Sequence, residues 1–143
     1  MYNCILVGYD GSTSSRKALA KALELGRRLE SRVVIATVIP RPVLLVGEYL
    51  SPDPGELERM RETVRKALEK LVGELKASGY SNSSYVVLEG DPAEELVNYA
   101  RENQCNLIVV GRRGQGGLER LILGSISQKV VSMARGIDVL VVG

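Results

Sequence analysis

The sequence contains no histidine, no phenylalanine and no tryptophan. Without histidine there is no Ser-His-Asp or Cys-His pairing of nucleophile and base, and no imidazole metal site. Six tyrosines are the whole aromatic complement, too few to build a face on which the bases of a single strand would stack. Neither sign of charge is in excess. The 19 Lys and Arg against 17 Asp and Glu leave a formal net charge of +2, so no nucleic acid is expected as the main ligand. No apolar run approaches the ~18 residues of a membrane span. Met1 to Leu6 shows no basic stretch followed by a long apolar one, so neither a signal peptide nor membrane association is expected, and the cytoplasm is the expected compartment. The two cysteines, Cys4 and Cys105, are too few and too far apart for a metal knuckle or a secreted disulfide framework.

What is present is ordinary for a globular protein: 143 residues, 45% hydrophobic and 25% charged. That length predicts one domain over 1–143, and a chain of this size buries roughly 68–70% of its unfolded surface. The apolar residues fall into two kinds of segment. Short aliphatic runs stand at Cys4–Val7, Val33–Ala36, Tyr85–Leu88, Leu107–Val110 and Val139–Val142. Runs of this length, rich in β-branched residues, predict strands buried on both faces. Helical periodicity lies between them. Leu19, Ala22, Leu23, Gly26 and Leu29 share one face; Leu57, Met60, Val64, Ala67, Leu68, Leu71 and Leu75 share another. A third helix starts at Asp91-Pro92, with Asp91 as cap and Glu94 at the third position. A fourth runs from about Ser125, with Ile126, Val130, Val131 and Ala134 apolar. Strands alternating with helices predict an open parallel sheet covered by helices on both faces. One long connection, 39–54, holds four of the five prolines and an apolar stretch from Val43 to Val46. It reads either as a flap packed on its own domain or as a lid or partner surface.

In such a sheet, ligands bind beyond the carboxyl ends of the strands, where the strand order reverses. Two carboxyl ends carry unusual residues: Gly8-Tyr9-Asp10-Gly11-Ser12-Thr13-Ser14-Ser15 after the first strand, and Gly111-Arg112-Arg113-Gly114-Gln115-Gly116-Gly117 after the fourth, with Gly124-Ser125-Ile126-Ser127 opening the last helix. The glycines permit close backbone approach, and a helix N-terminus with free N–H groups favours an anion. These parts suit a phosphate cradle; a Gly-rich loop before a Ser-capped helix is the plainer reading. Asp10 reads as a ligand-facing carboxylate or as the cap of the first helix. Arg112 and Arg113 read as a phosphate clamp or as solvated loop residues. There is no G-x-x-x-x-G-K-[ST] run, and no G-x-G-x-x-G follows the first strand.

Gly111-x-x-Gly114, nine residues, then Gly124-Ser125, together with Val7-Gly8-Tyr9-Asp10-Gly11-Ser12 and Gly90-Asp91-Pro92-Ala93, resembles the nucleotide-binding branch of the universal stress protein family over essentially the whole chain. The resemblance implies a flavodoxin-like (Rossmann-like) five-stranded parallel sheet in order 3-2-1-4-5, and a stress-response regulator that binds ATP, or ADP or AMP, with Mg²⁺ carried on the nucleotide. It also implies a homodimer through the last strand, 138–142. Carried over by residue, Asp10 meets the ribose or base side, Val38 the adenine, and Gly8 the base. Gly111, Gly114, Gly124 and Ser125 supply the ribose- and phosphate-binding backbone, which Ile126 and Ser127 extend. Before the last strand, Gly136-Ile137-Asp138 stands where the family often has a small polar residue or a Cys-Pro pair.

Hydrolysis needs a base or water-positioning group and metal ligands. Asp10 stands alone and Glu119 has no evident partner, so a binder rather than an enzyme is expected, with slow ATP turnover at most. The alternatives are a hydrolase of the adenine-nucleotide type using the Asp10-Gly11-Ser12 turn, and an interaction module with an empty cleft. If the first and fourth strands are neighbours, Cys4 and Cys105 lie at the same end of the sheet. A bridge is then conceivable, and a Cα separation above about 7 Å excludes it. Two buried thiols are expected in a reducing cytosol.

Overall fold

The computed structural model describes residues 1–40, 54–113 and 124–143. Five strands and four helices follow in the order β1 (Cys4–Gly8), α1 (Thr13–Leu29), β2 (Arg32–Ile39), α2 (Pro54–Ala77), β3 (Ser83–Glu89), α3 (Pro92–Glu102), β4 (Leu107–Gly111), α4 (Ser125–Met133) and β5 (Asp138–Val142). The strands form one parallel sheet in order β3-β2-β1-β4-β5. The expected architecture and strand order are both present. Residues 41–53 of the long connection lie outside the described residues, as do Gly114 and Glu119. Among the described residues, no helix is long and apolar enough to cross a membrane.

Alternation along the strands divides the core between the two faces of the sheet. Ile5, Val7, Val33, Ile35, Leu107 and Val109 pack against Ala18, Leu19 and Ala22 of α1 and Leu68 and Val72 of α2. Cys4, Leu6, Val34, Ala36, Ile108 and Val110 face Ala93, Leu96, Val97 and Ala100 of α3 and Val130 of α4. Each large aliphatic side chain moved out of water in this way contributes roughly 1.5–3 kcal/mol.

Three expectations need correction here. Burial on both faces holds for β1, β2 and β4, but β3 and β5 are partly exposed along most of their length. They are the two edges of the sheet, where no neighbouring strand covers the outer side. On α2, Ala67 and Met60 are exposed, whereas Val72 is buried beside Leu68. On α4, Val131 is exposed and Val130 carries the packing.

The cysteines supply another correction. Cys4 and Cys105 are joined in a disulfide, with Cα atoms 4.4 Å apart. The β1–β4 register pairs Ile5 with Leu107, which brings both cysteines to the amino end of the sheet. Both side chains belong to the core on the α3 face. Neighbouring strands thus place the two sulfurs in contact despite a separation of 101 residues.

Candidate functional site

The strand order reverses between β1 and β4, and a cavity of about 250 Å³ opens at their carboxyl ends. One wall is apolar: Ala36, Val38 and Pro40 from β2 and its end, Leu96 of α3 and Val110 of β4. Gly8, Tyr9 and Asp10 form the end of β1, while Gly111, Arg113, Ile126 and Ser127 form the opposite corner. Gly8 allows the apolar side to close, since a Cβ there would lie 3.1 Å from Leu96 Cδ1.

Of the residues expected at the site, Gly8, Asp10, Val38, Gly111, Ile126 and Ser127 line this one cavity. Arg113 lines it as well, whereas its neighbour Arg112 does not. The Arg112 guanidinium instead approaches the chain end at Gly143. Gly124 and Ser125 lie at the head of α4, behind the lining residues Ile126 and Ser127. Gly114 lies outside the described residues.

The loop after β1 is ordered by its own side chains. Asp10 Oδ1 accepts from the Ser12 N–H at 2.9 Å, and Ser12 Oγ accepts from the Ser15 N–H at 3.2 Å. Ser12, not Asp10, is therefore the N-cap of α1. Gly11 has φ +81°, a conformation that glycine adopts without steric cost. It turns the chain from the strand into the helix. Arg16 Nε donates to the Gly11 carbonyl at 2.9 Å and braces the same turn.

The three helix starts around the cavity are not equivalent. Ser12 caps α1 and Asp91 caps α3, the latter accepting from the Glu94 N–H at 3.0 Å. For α4 the N-cap position is Gly124, and among the described residues no side chain caps it. The first helical bond is Gln128 N–H to the Gly124 carbonyl. The preceding amides of the first turn are the orphan donors of a helix start, at the positive end of the helix dipole. Ser127 is buried, and its hydroxyl donates to the Gly111 carbonyl at 2.6 Å, tying α4 to the end of β4.

Two walls of the cavity are braced by an ion pair. Lys129 Nζ lies 3.0 Å from Asp91 Oδ2, linking α4 to the head of α3, whose Pro92 lines the cavity. The Glu94 amide, and next the Lys129 ammonium, hold the Asp91 carboxyl below the usual aspartate range. Asp91 in turn raises the Lys129 ammonium. Tyr9, Ser15, Ala36, Pro40, Pro92, Leu96 and Val110 line the cavity as well, beyond the residues expected at the site. Pro40 at the end of β2 and Pro92 at the head of α3 were readable signals, because both mark carboxyl-edge turns. Among the described residues, no group of three or more Cys, Asp or Glu side chains is placed to hold a metal ion.

The chain matches the universal stress protein family over residues 1–143. It is 32% identical, over an alignment of 164 residues covering 96% of each chain, to the stress response protein NhaX of Bacillus subtilis (strain 168). The fold is that of the universal stress protein UspA of Lactobacillus plantarum, with a TM-score of 0.85 and 23% identity over 99% of this chain and 98% of that one. A universal stress protein solved in complex with cAMP is similar at a TM-score of 0.73 and 25% identity, over 99% and 97% of the two chains. Sequence and fold together establish that the chain belongs to the universal stress protein family.

Proposed function

We propose that this chain is a stress-response regulator whose cleft binds an adenine nucleotide, ATP foremost, and that it acts by binding rather than by catalysis. One observation carries the reading: a single cavity joins an apolar slot to a helix start that no described side chain caps. Ala36, Val38, Pro40, Leu96 and Val110 offer a base a dry surface. Gly8 closes that slot, and the Asp10 carboxylate at its mouth is an acceptor for ribose hydroxyls. The amides of Ser125, Ile126 and Ser127, with Gly111, Gly124 and the Arg113 guanidinium near them, suit the phosphates. Gly114 is assigned to the phosphate side with them, and Arg112, whose side chain does not line the cavity, serves that side through its carbonyl, which holds the Gly124 N–H at the head of α4. The similar universal stress protein that binds cAMP supports an adenine nucleotide.

Asp10 is the one acidic residue in the described wall. One acidic side chain fits Mg²⁺ held mainly by phosphate and water oxygens rather than by a protein cage. Among the described lining residues there is no second carboxylate to share acid–base work in hydrolysis. The signal is then a change of surface on nucleotide binding. The edge strand β5, with Val139 to Val142 partly exposed, supports pairing with a second copy, since an apolar edge left open would associate indiscriminately. The cytoplasm is the compartment this reading assigns.

Freshly purified protein is denatured and the released small molecules identified by mass; ATP, ADP, AMP and cAMP are then titrated into the emptied protein. Recovery or micromolar binding of an adenine nucleotide is expected, with a loss of about tenfold or more in Gly124→Val. Gly124 has φ −61° and ψ 156°, which any residue adopts, so the substitution adds no backbone strain, and a melting curve of the variant checks that it is folded. No recovery and no binding would overturn the reading. Turnover above about 1 s⁻¹, typical of enzymes, would overturn its non-catalytic part.

A further inference from the structure

The run from Gly111 to Arg113 is held from three directions. From α4, the Ser127 hydroxyl donates to the Gly111 carbonyl. From the edge strand, the Arg112 N–H donates to the Val142 carbonyl at 2.8 Å, while the Arg112 carbonyl accepts from the Gly124 N–H at 2.8 Å. From α1, Ser14 Oγ accepts from the Arg113 N–H at 3.1 Å. Ser14 precedes Arg113 by 99 residues; it stands in the Gly8–Ser15 run after the first strand, at a position to which the sequence assigns no role. Its approach is close. A Cβ on Gly111 would lie 2.3 Å from the Ser14 hydroxyl and 2.7 Å from the Ser14 carbonyl carbon and oxygen. The first turn of α1 is therefore pressed against the turn that follows β4, and the absence of a side chain at 111 permits it.

The Ser14 bond fixes the peptide plane from which the Arg113 side chain departs, and Arg113 lines the cavity. It also takes the Arg113 N–H, so the backbone donors facing a phosphate are those of α4. The same turn carries the Arg112 carbonyl on which the head of α4 is anchored. We propose that Ser14 is a positioning residue of the cleft: its hydroxyl holds the 111–113 turn so that Arg113 and the head of α4 meet the phosphate of a bound nucleotide. This inference rests on the nucleotide reading above. It makes the phosphate end of the ligand sensitive to Ser14 and leaves the base end insensitive.

Affinities for ATP, AMP and phosphate-free adenosine are measured for the wild type, Ser14→Ala and Ser14→Thr, and amide exchange at Arg113 is followed by NMR without ligand. In Ser14→Ala, ATP and AMP are expected to bind about three- to tenfold more weakly, the worth of one neutral hydrogen bond. Adenosine affinity changes by less than about twofold, because a bond on the phosphate side leaves the base contacts in place. Ser14→Thr, which keeps the hydroxyl, restores the loss, and the Arg113 amide exchanges faster in Ser14→Ala. Equal loss for adenosine and ATP, or no loss for either, overturns the proposal. A wild type that binds none of the three overturns the nucleotide reading instead. The exchange rate then decides the latch alone: faster exchange in Ser14→Ala upholds it, and unchanged exchange removes it.

Discussion

At the amino end of the sheet, distant parts of the chain are tied together. The Cys4–Cys105 disulfide joins β1 to the residues before β4. Tyr2 Oη donates to Asp138 Oδ2 at 2.6 Å, and Asn106 Nδ2 donates to the Met1 carbonyl at 3.0 Å. At the carboxyl end, glycines at 8, 11, 111 and 124 replace side chains, and the turns are held by the Asp10 carboxylate, the Arg16 guanidinium, single hydroxyls and backbone bonds, with the Lys129–Asp91 pair across two walls. One end is cross-linked, while the other is shaped to leave a helix head accessible. A parallel sheet puts every helix N-terminus at its carboxyl end, so anion-binding capacity and loop variation gather there. The amino end is left for stability. Changes at the amino end should therefore alter melting but not ligand affinity, and changes at the carboxyl end should alter affinity.

The largest effect is expected from the disulfide. In the chain-entropy account a bridge closing about 100 residues contributes up to ~4.7 kcal/mol, and typical measured values are ~2–4 kcal/mol. Protein refolded under reductant should melt about 10 °C lower than the oxidised form, with thiols counted by alkylation and mass. Nucleotide affinity should be the same in both. A change in affinity with no change in melting would reverse the comparison.

Two glycines sharpen it further. At Gly26, near the amino end, a Cβ would lie 2.7 Å from Val33 Cγ2 and 2.1 Å from the Tyr80 hydroxyl; at Gly111 it meets Ser14 backbone at 2.7 Å. Overpacking of this kind costs ~1–3 kcal/mol. Gly26→Ala and Gly111→Ala should both lower the midpoint of urea unfolding. Only Gly111→Ala should also weaken the nucleotide, which calorimetric titration of both variants would check.

Asp91→Ala removes the α3 cap and should cost about 1 kcal/mol at neutral pH. The carboxyl is held below its usual value by the Glu94 amide and by Lys129. The charged cap therefore stabilises fully above the ordinary aspartate value of about 3.9, and that contribution is lost as pH falls through the lowered folded value. Melting curves of the wild type and Asp91→Ala should thus converge in strong acid and stay apart above about pH 5. The smallest effect is expected for Tyr2→Phe, which deletes an exposed bond to Asp138. A loss under about 1 kcal/mol is predicted, with affinity unchanged.

The architecture was legible because a doubly wound sheet announces itself in aliphatic runs separated by helical periodicity. The cap at Asp91 and the helix start at Ser125 were equally plain, since caps are local chemistry. What a run of valines does not encode is its place in the sheet: β5 reads like β4 yet lies at the edge. Ala67 fits the apolar stripe of α2 but faces outward, because α2 lies over the β2–β3 side of the sheet and buries only Leu68 and Val72. At the site, the glycines and Asp10 were visible through their spacing. Ser14 stands in the same run after β1, but its part in the site was not visible, because nothing local ties it to a turn 99 residues away. For the cysteines, the strand order allowed a bridge, but the expected compartment argued for thiols and the pairing was decided by register.

The most direct test follows amide hydrogen exchange along the whole chain with and without ATP. The account predicts added protection confined to the carboxyl end, at residues 8–12, 111–113 and 124–128, with the Tyr2, Cys4 and Cys105 region unchanged. Protection centred on the amino end, or none anywhere at saturating ATP, would contradict it.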